Sequence, residues 1–299
     1  MESFHLIYNP SANRGGSKKY LEAFVDILKK ENKIYEIYET AHAGHATQIT
    51  REIIAGGGKF IVAIGGDGTV HEVVNGFTPG DEDAGVVFGV LPAGTGNDVA
   101  TMLGAPAGLE NVRAAAKNII EENIKRVDYI ASSRGQQSVL FFSYGIAATM
   151  VLKMEKFKNK NKFSYYKSLI LHMFTFKAQT YEYFVNGEGP PKHIKADFLG
   201  LHNCIHAGGG MQLVHNAALN DGLLELLIVE NRGLPRRICN LIAIATKKLH
   251  KQPNVQIIKS TKLKINSPDD NLCCVDGEVH HLSHLDLHIV PKGMNFFWD

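Results

Sequence analysis

Two glycine clusters carry the first chemical signal in the chain. Gly65-Gly66-Asp67-Gly68-Thr69 and Pro92-Ala93-Gly94-Thr95-Gly96-Asn97-Asp98 each join glycine to a hydroxyl and a carboxylate. Glycine lets a backbone turn with positive φ, and it lets a phosphate approach where a Cβ would obstruct it. A helix opening after such a turn offers N–H groups and the positive end of its dipole to an anion. A bare carboxylate repels phosphate. Asp67 therefore makes sense among these glycines if it holds a metal ion that bridges to phosphate oxygens. One such cluster would equally suit a tight turn with a surface aspartate. Two of the same character suit a polyphosphate–metal site. The chain has no GxxxxGK[ST], no GxGxxG and no protein-kinase HRD and DFG set.

Elements must position these clusters. Residues 4–8 read as a buried strand closed by Asn9-Pro10. Residues 18–30 place Tyr20, Leu21, Phe24, Ile27 and Leu28 on one helical face. A strand over 34–38, a helix over 45–55 stopped by Gly56-Gly57-Gly58, and a strand over 60–64 follow. Val70, Val73, Val74 and Phe77 predict a helix over 70–77, and Thr69 with Glu72 has capping-box spacing that would start it. A strand over 86–91 leads to a helix near Asp98. Alternating strands and helices predict a parallel sheet with helices on its faces. Ligands bind such sheets beyond the carboxyl ends of the strands. Asn9, Thr40 and both glycine clusters should therefore open on one edge.

The second half reads differently. Strand-like runs at 127–131, 138–144, 181–185, 196–204, 223–230, 261–266, 271–276 and 284–290 are interrupted by helices near 163–176 and 235–249. That pattern predicts a β-rich domain, sandwich or barrel. The fold class is thus α/β plus β. An α/β nucleotide-binding domain spans 1–128 and a β-rich substrate domain spans 129–288, and the tail at about 289–299 can rejoin the first. With 299 residues, the chain needs no disulfide or metal to fold. The 32 basic and 30 acidic residues leave a formal charge of only +2, which argues against nucleic acid as the main partner. Cys204, Cys239, Cys273 and Cys274 have no framework spacing and are expected to be reduced, cytoplasmic thiols. No apolar run is long enough to span a bilayer, so any membrane contact is expected to be peripheral.

At this point the chain resembles the diacylglycerol kinase catalytic domain, and over nearly its full length the bacterial lipid kinases of the diacylglycerol kinase B and YegS type. These are related to sphingosine and NAD kinases. Asn9-Pro10, Thr40 with Gly44-His45-Ala46, the two glycine clusters, Gly208-Gly209-Gly210-Met211, Asn220-Asp221-Gly222 and Asp276-Gly277-Glu278 carry the resemblance by their order and spacing. It implies an NAD-kinase-like first domain, a β-sandwich-like second domain, and ATP with Mg2+. The implied ATP site comprises Asn9, Pro10, Ser11, Ala12, Asn13, Thr40, Gly65, Gly66, Asp67, Gly68, Thr69, Glu72 and Thr95. Asp67, Asp98, Asp128 and Asp221 would form the acidic network, and Glu278 would be the general base. Asp221 would also hold magnesium, with main-chain oxygens of Ala218 and Leu223. The chain departs from the pattern at Ala218, where close relatives often have serine, and at Asn13, where glycine is usual.

The residues themselves allow other readings. Val275-Asp276-Gly277-Glu278-Val279 is equally an Asp-Gly hairpin with an exposed glutamate. His280, His281, His284 and His288 could bind zinc, but strand alternation puts them mostly on a solvent face. Cys273-Cys274 reads as a buried strand pair. Residues 153–177 carry seven lysines with Phe157, Phe163, Tyr165, Tyr166, Phe174 and Phe176, a composition suited to an anionic membrane surface or to a solvated helix. The expected function is phosphorylation of a lipid hydroxyl, that of diacylglycerol foremost, at the inner membrane surface. Phosphatidylglycerol, monoacylglycerol or a sphingoid base are alternatives, then a nucleotide as in NAD kinases, or a regulator without turnover. A homodimer is left open.

Overall fold

The computed structural model describes residues 2–154, 170–187, 189–267 and 271–298. Two compact units divide the chain: Met1–Asp128 with Lys292–Asp299, and Tyr129–Pro291.

In the first unit, β1 (Phe4–Tyr8), β2 (Tyr35–Glu39), β3 (Phe60–Gly65) and β4 (Val87–Pro92) pair in the order β2-β1-β3-β4, all parallel. Asn295 and Phe296, near the C-terminus, add a parallel pairing beside Val87 and Phe88. β1, β3 and β4 are buried without alternation, as a sheet covered on both faces requires. Helices α1 (Ser17–Lys30), α2 (His45–Ala55) and α3 (Asp67–Val74) connect the strands. α1 turns Leu21, Phe24 and Leu28 inward, at i, i+3 and i+7, onto a core that includes Phe4, Val62, Ile64, Leu91 and Phe297. Parallel strands bring their carboxyl ends to one edge. The Asn9 N–H donates to Ile64 O, that of Thr40 to Tyr8 O, and that of Ala93 to Gly65 O. Short helices α4 (Asp98–Met102), α5 (Val112–Ala115) and α6 (Lys117–Ile120) follow. β5 (Ile124–Ser132) then leads the chain into the second unit.

The second unit comprises β6 (Gln137–Ser138), β7 (Phe141–Gly145), α7 (Ile146–Met154), helical residues 170–175 (α8), β8 (Gln179–Val185), β9 (Lys192–His202), β10 (His206–Ala207), β11 (Met211–Gln212) and β12 (Leu224–Glu230). It continues with α9 (Leu234–Ala245), β13 (Val255–Ser260), β14 (Lys262–Asn266), β15 (Leu272–Val275), β16 (Glu278–His281) and the part of β17 (His284–Phe297) up to Pro291, the rest of that strand belonging to the first unit. The pairing is antiparallel, in the order β16-β15-β7-β9-β8-β14-β17, and β12 joins β9 to β13. Tyr144, Tyr181, Leu199, Leu226, Leu263 and Leu287 are among the buried residues of its core.

Several elements differ from expectation. α3 starts at Asp67 rather than residue 70, because Gly66 takes the N-cap position and an acid in the first turn suits the helix dipole. α7 was not predicted. Its sequence Ile-Ala-Ala-Thr-Met-Val-Leu-Lys-Met is apolar on every side and follows a strand directly, so no helical period stands out. β13 and β16 were also missed, the first half-exposed and the second a short polar strand. The helix expected over 235–249 ends at Ala245. Of the basic and aromatic stretch, residues 155–169, with Lys156, Lys158, Lys160 and Lys162, lie outside the described residues. Among the described residues, no helix is long and apolar enough to cross a membrane.

Candidate active site

The glycine clusters meet at the backbone. A Cβ on Gly94 would collide with Gly66 Cα, and one on Gly65 would collide with Thr69 Oγ1. Only glycine permits this approach, so the loops after β3 and β4 form one surface. Asn97, at φ +59, locks the second loop: its Oδ1 accepts from Gly94 N at 2.9 Å and its Nδ2 donates to Gly94 O at 3.0 Å. Thr95 is exposed on that loop. Gly68 and Thr69 lie inside α3, so the first cluster is a strand end and a helix start rather than an extended loop.

The loop after β1 is tied to α3. Asn9 Oδ1 accepts from Ser11 N at 2.9 Å, and Asn9 Nδ2 donates to Thr69 Oγ1 at 3.4 Å. Pro10 leads into the 3-10 turn Ala12–Gly15. There Asn13 and Arg14 hold φ of 51° and 55°. The left-handed region explains why glycine is usual at position 13, and asparagine is among the few residues that enter it readily. Asn9, Ser11, Thr40, Thr69 and Glu72 line a cleft of ≈ 210 Å³ with His42 and Ala46. The capping box expected from Thr69 and Glu72 does not form. Thr69 is bonded by Asn9, and Glu72 Oε2 instead accepts from Ala46 N at 3.1 Å, capping α2. Its charge suits the positive end of that helix.

The acids separate into distinct settings. Asp67 Oδ1 accepts from Val99 N at 3.2 Å, which joins α3 to α4, whose first residue is the buried Asp98. Asp128 is fully buried on β5, and its Oδ1 accepts from Lys292 N at 2.7 Å. Asp221 belongs to the second unit, in an exposed turn where its Oδ1 accepts from Leu223 N at 3.1 Å and its Oδ2 stands 3.8 Å from Lys259 Nζ. Glu278 opens β16, exposed, directly after a two-residue turn in which Asp276 and Gly277 have φ of 49° and 99°. The hairpin reading and an available carboxylate are therefore compatible. The sequence analysis read the neighbouring Asp276 only as part of the turn, and its bracing role escaped it. It is buried and accepts from Ser138 Oγ and from the N–H groups of Val139, Leu140 and Phe141. A carboxylate before glycine in a hairpin was the available signal, but its four donors lie more than 130 residues away in sequence.

The oxygen donors around Asp221 fit a hard divalent cation. Ala218 and Leu223 offer carbonyls in the same segment. Glu225 adds a buried carboxylate whose two oxygens meet no donor among the described residues. Burial first, then the charge of Asp221, raises the pKa of Glu225. No cluster of three or more His, Cys, Asp or Glu suited to a metal occurs among the described residues, so main-chain carbonyls would complete such a site.

Glycine loops at the strand ends of a parallel α/β sheet, followed in the chain by an antiparallel β unit, make an arrangement suited to binding phosphate at that edge. Residues 3–132 match the diacylglycerol kinase catalytic domain, and residues 141–298 match the YegS C-terminal NAD kinase beta sandwich-like domain. The chain belongs to this diacylglycerol kinase and YegS family of lipid kinases. It is 28% identical to the diacylglycerol kinase of Bacillus subtilis over 284 residues, covering 93% of this chain and 90% of that one. Identity to the lipid kinase YegS of Escherichia coli K12 is also 28%, over 278 residues, covering 92% and 89%. A diacylglycerol kinase crystal structure from Bacillus anthracis superposes with a TM-score of 0.75 at 22% identity, covering 100% of this chain and 97% of that one. A second crystal structure from that organism reaches 0.82 at 24% identity, covering 100% and 95%. These likenesses establish the fold: a parallel α/β region and a β-sandwich-like domain.

Proposed function

We propose that the chain transfers the γ-phosphate of ATP to a lipid hydroxyl, that of diacylglycerol foremost, giving phosphatidic acid. The observation that carries this reading is the backbone contact of Gly66 with Gly94, which builds one phosphate-binding surface from two strand ends. The N–H groups at the start of α3 and the adjoining loop bind phosphate oxygens, and Asn9 with Thr69 orients the nucleotide in the cleft. The bond from the lipid oxygen to phosphorus forms as the bond to the β–γ bridging oxygen breaks. ADP leaves, and Glu278 takes the hydroxyl proton. Asp221, with the carbonyls of Ala218 and Leu223, would hold magnesium, which supplies charge neutralisation at the phosphates. The similarity to a diacylglycerol kinase of Bacillus subtilis and a lipid kinase of Escherichia coli supports a lipid acceptor. The lipid is met by peripheral contact with the cytoplasmic membrane surface.

Substitution of the base tests the assignment. Glu278→Gln is expected to lower kcat by about 10²–10⁴-fold while nucleotide affinity stays within about twofold. A normal rate in Glu278→Gln removes Glu278 from the mechanism.

A further inference from the structure

The first unit has a second cleft, at the far end of α2 from the one lined by Asn9, Thr69 and Glu72. Its volume is ≈ 440 Å³, and Glu2, Glu36 and Glu52 bring three carboxylates to it. Lys59 Nζ pairs with Glu2 Oε1 at 3.4 Å, so one ammonium faces three negative charges. α2 ends here at Gly56 with no basic residue in its last turn, and the negative end of its dipole adds to the imbalance.

Carboxylates alone would make a solvated surface. His5, which is 9% exposed and lines the wall, adds a directed acceptor. Tyr38 Oη donates its single proton to Glu36 Oε2 at 2.7 Å. Burial first, then Glu36, pushes the Tyr38 pKa up to about 12, so the phenol keeps that proton at neutral pH. His5 Nδ1, 3.3 Å from Tyr38 Oη, must therefore be the donor to it. Burial lowers the His5 pKa against the opposing pull of Glu36 and Glu2, so the ring is neutral and Nε2 carries a lone pair. None of the described residues donates to Nε2. It faces Gly58, where a Cβ would stand 2.6 Å away, so glycine leaves that space free. Ser3 Oγ, on the same wall, is buried without a partner among the described residues. An occupant that donates hydrogen bonds and carries positive charge answers both the idle acceptor and the excess of carboxylates.

The spacing points to the class of cation. No group of three or more His, Cys, Asp or Glu suited to a metal ion occurs among the described residues. A cleft of this width suits ammonium groups joined by methylenes, with Ile53 and the Tyr38 ring beside the linker. Three carboxylates less the Lys59 ammonium leave two charges for two ammonium groups to balance. We infer that this cleft binds a linear alkyl diamine, one ammonium donating to His5 Nε2 beside Glu36 and the other pairing with Glu52.

Titration calorimetry of the full chain in low salt with 1,4-diaminobutane and with butylamine tests this. The diamine should bind about fivefold more tightly than the monoamine. Excess Mg2+ at matched ionic strength should not displace it. Glu52→Gln, a change on an exposed helix surface, should abolish the advantage of the diamine. His5→Phe, which keeps a ring and loses the acceptor, should weaken both amines about tenfold. Long-range 1H–15N spectra of the unaltered protein follow the same atom without substitution, and the His5 Nε2 resonance should move as diamine is added. No binding, equal binding of the two amines, displacement by Mg2+, or an Nε2 resonance that stays in place overturns the inference.

Discussion

The two units hold their functional groups by different means. The first relies on backbone: Gly65 and Gly94 permit contacts that a Cβ would block, and side chains such as Asn97 only secure the loops. The second relies on carboxylates. Asp276 gathers a hydroxyl and three N–H groups from residues 138–141, and Asp197 binds Arg237, whose Nη1 also donates to the carbonyls of Met173 and Phe176. Loss of a side chain should therefore damage folding of the second unit. Gain of a side chain should damage chemistry in the first.

The largest effect expected on this contrast is Asp276→Ala. It strands several buried donors and leaves alanine at a positive φ, so denaturant unfolding should show a loss of about 4 kcal/mol. A loss below about 1 kcal/mol would mean that the second unit does not depend on that carboxylate. Gly94→Val comes next. It should separate the two loops and lower transfer by at least about 100-fold, with circular dichroism close to wild type. Wild-type kinetics in Gly94→Val would show that the backbone contact is dispensable.

A third prediction concerns pH. His202 is fully buried between Phe141 and Phe198, and burial lowers its pKa from 6.5 to about 3. The unfolded chain gains this proton below pH 6.5 and the folded chain does not. The stabilising contribution is complete above pH 6.5 and is lost as pH falls toward 3. At pH 5 the loss relative to neutral pH is about 2 kcal/mol. His202→Phe should remove that part of the acid sensitivity. Glu225, opposite on the paired strand, shifts the other way but is present in both proteins, so the difference isolates His202. Parallel acid limbs for the two proteins would contradict it. The smallest effect is Glu72→Ala, which removes the cap from α2 and should cost about 1 kcal/mol of stability, read by thermal unfolding.

What the sequence showed follows the same division. Strand–helix alternation and the glycine clusters are local patterns, and Asn9, Thr40, Thr69 and Glu72 do line one cleft. The capping role of Glu72 was misread because its partner, Ala46, belongs to another helix. α7 was hidden by uniform apolarity, and Asp276 and Arg237 by partners that only the folded chain brings close. Local spacing thus reveals glycine loops at strand ends more readily than the carboxylates that brace a β unit.

The central claim is that the glycine surface delivers phosphate to a lipid hydroxyl. Incubation of the full chain with ATP labelled in its γ-phosphate, Mg2+ and a panel of diacylglycerol, monoacylglycerol, phosphatidylglycerol, a sphingoid base and NAD measures it directly. The account predicts label on a lipid, diacylglycerol most strongly, and none on NAD. Label on NAD, or on no lipid at all, would contradict it.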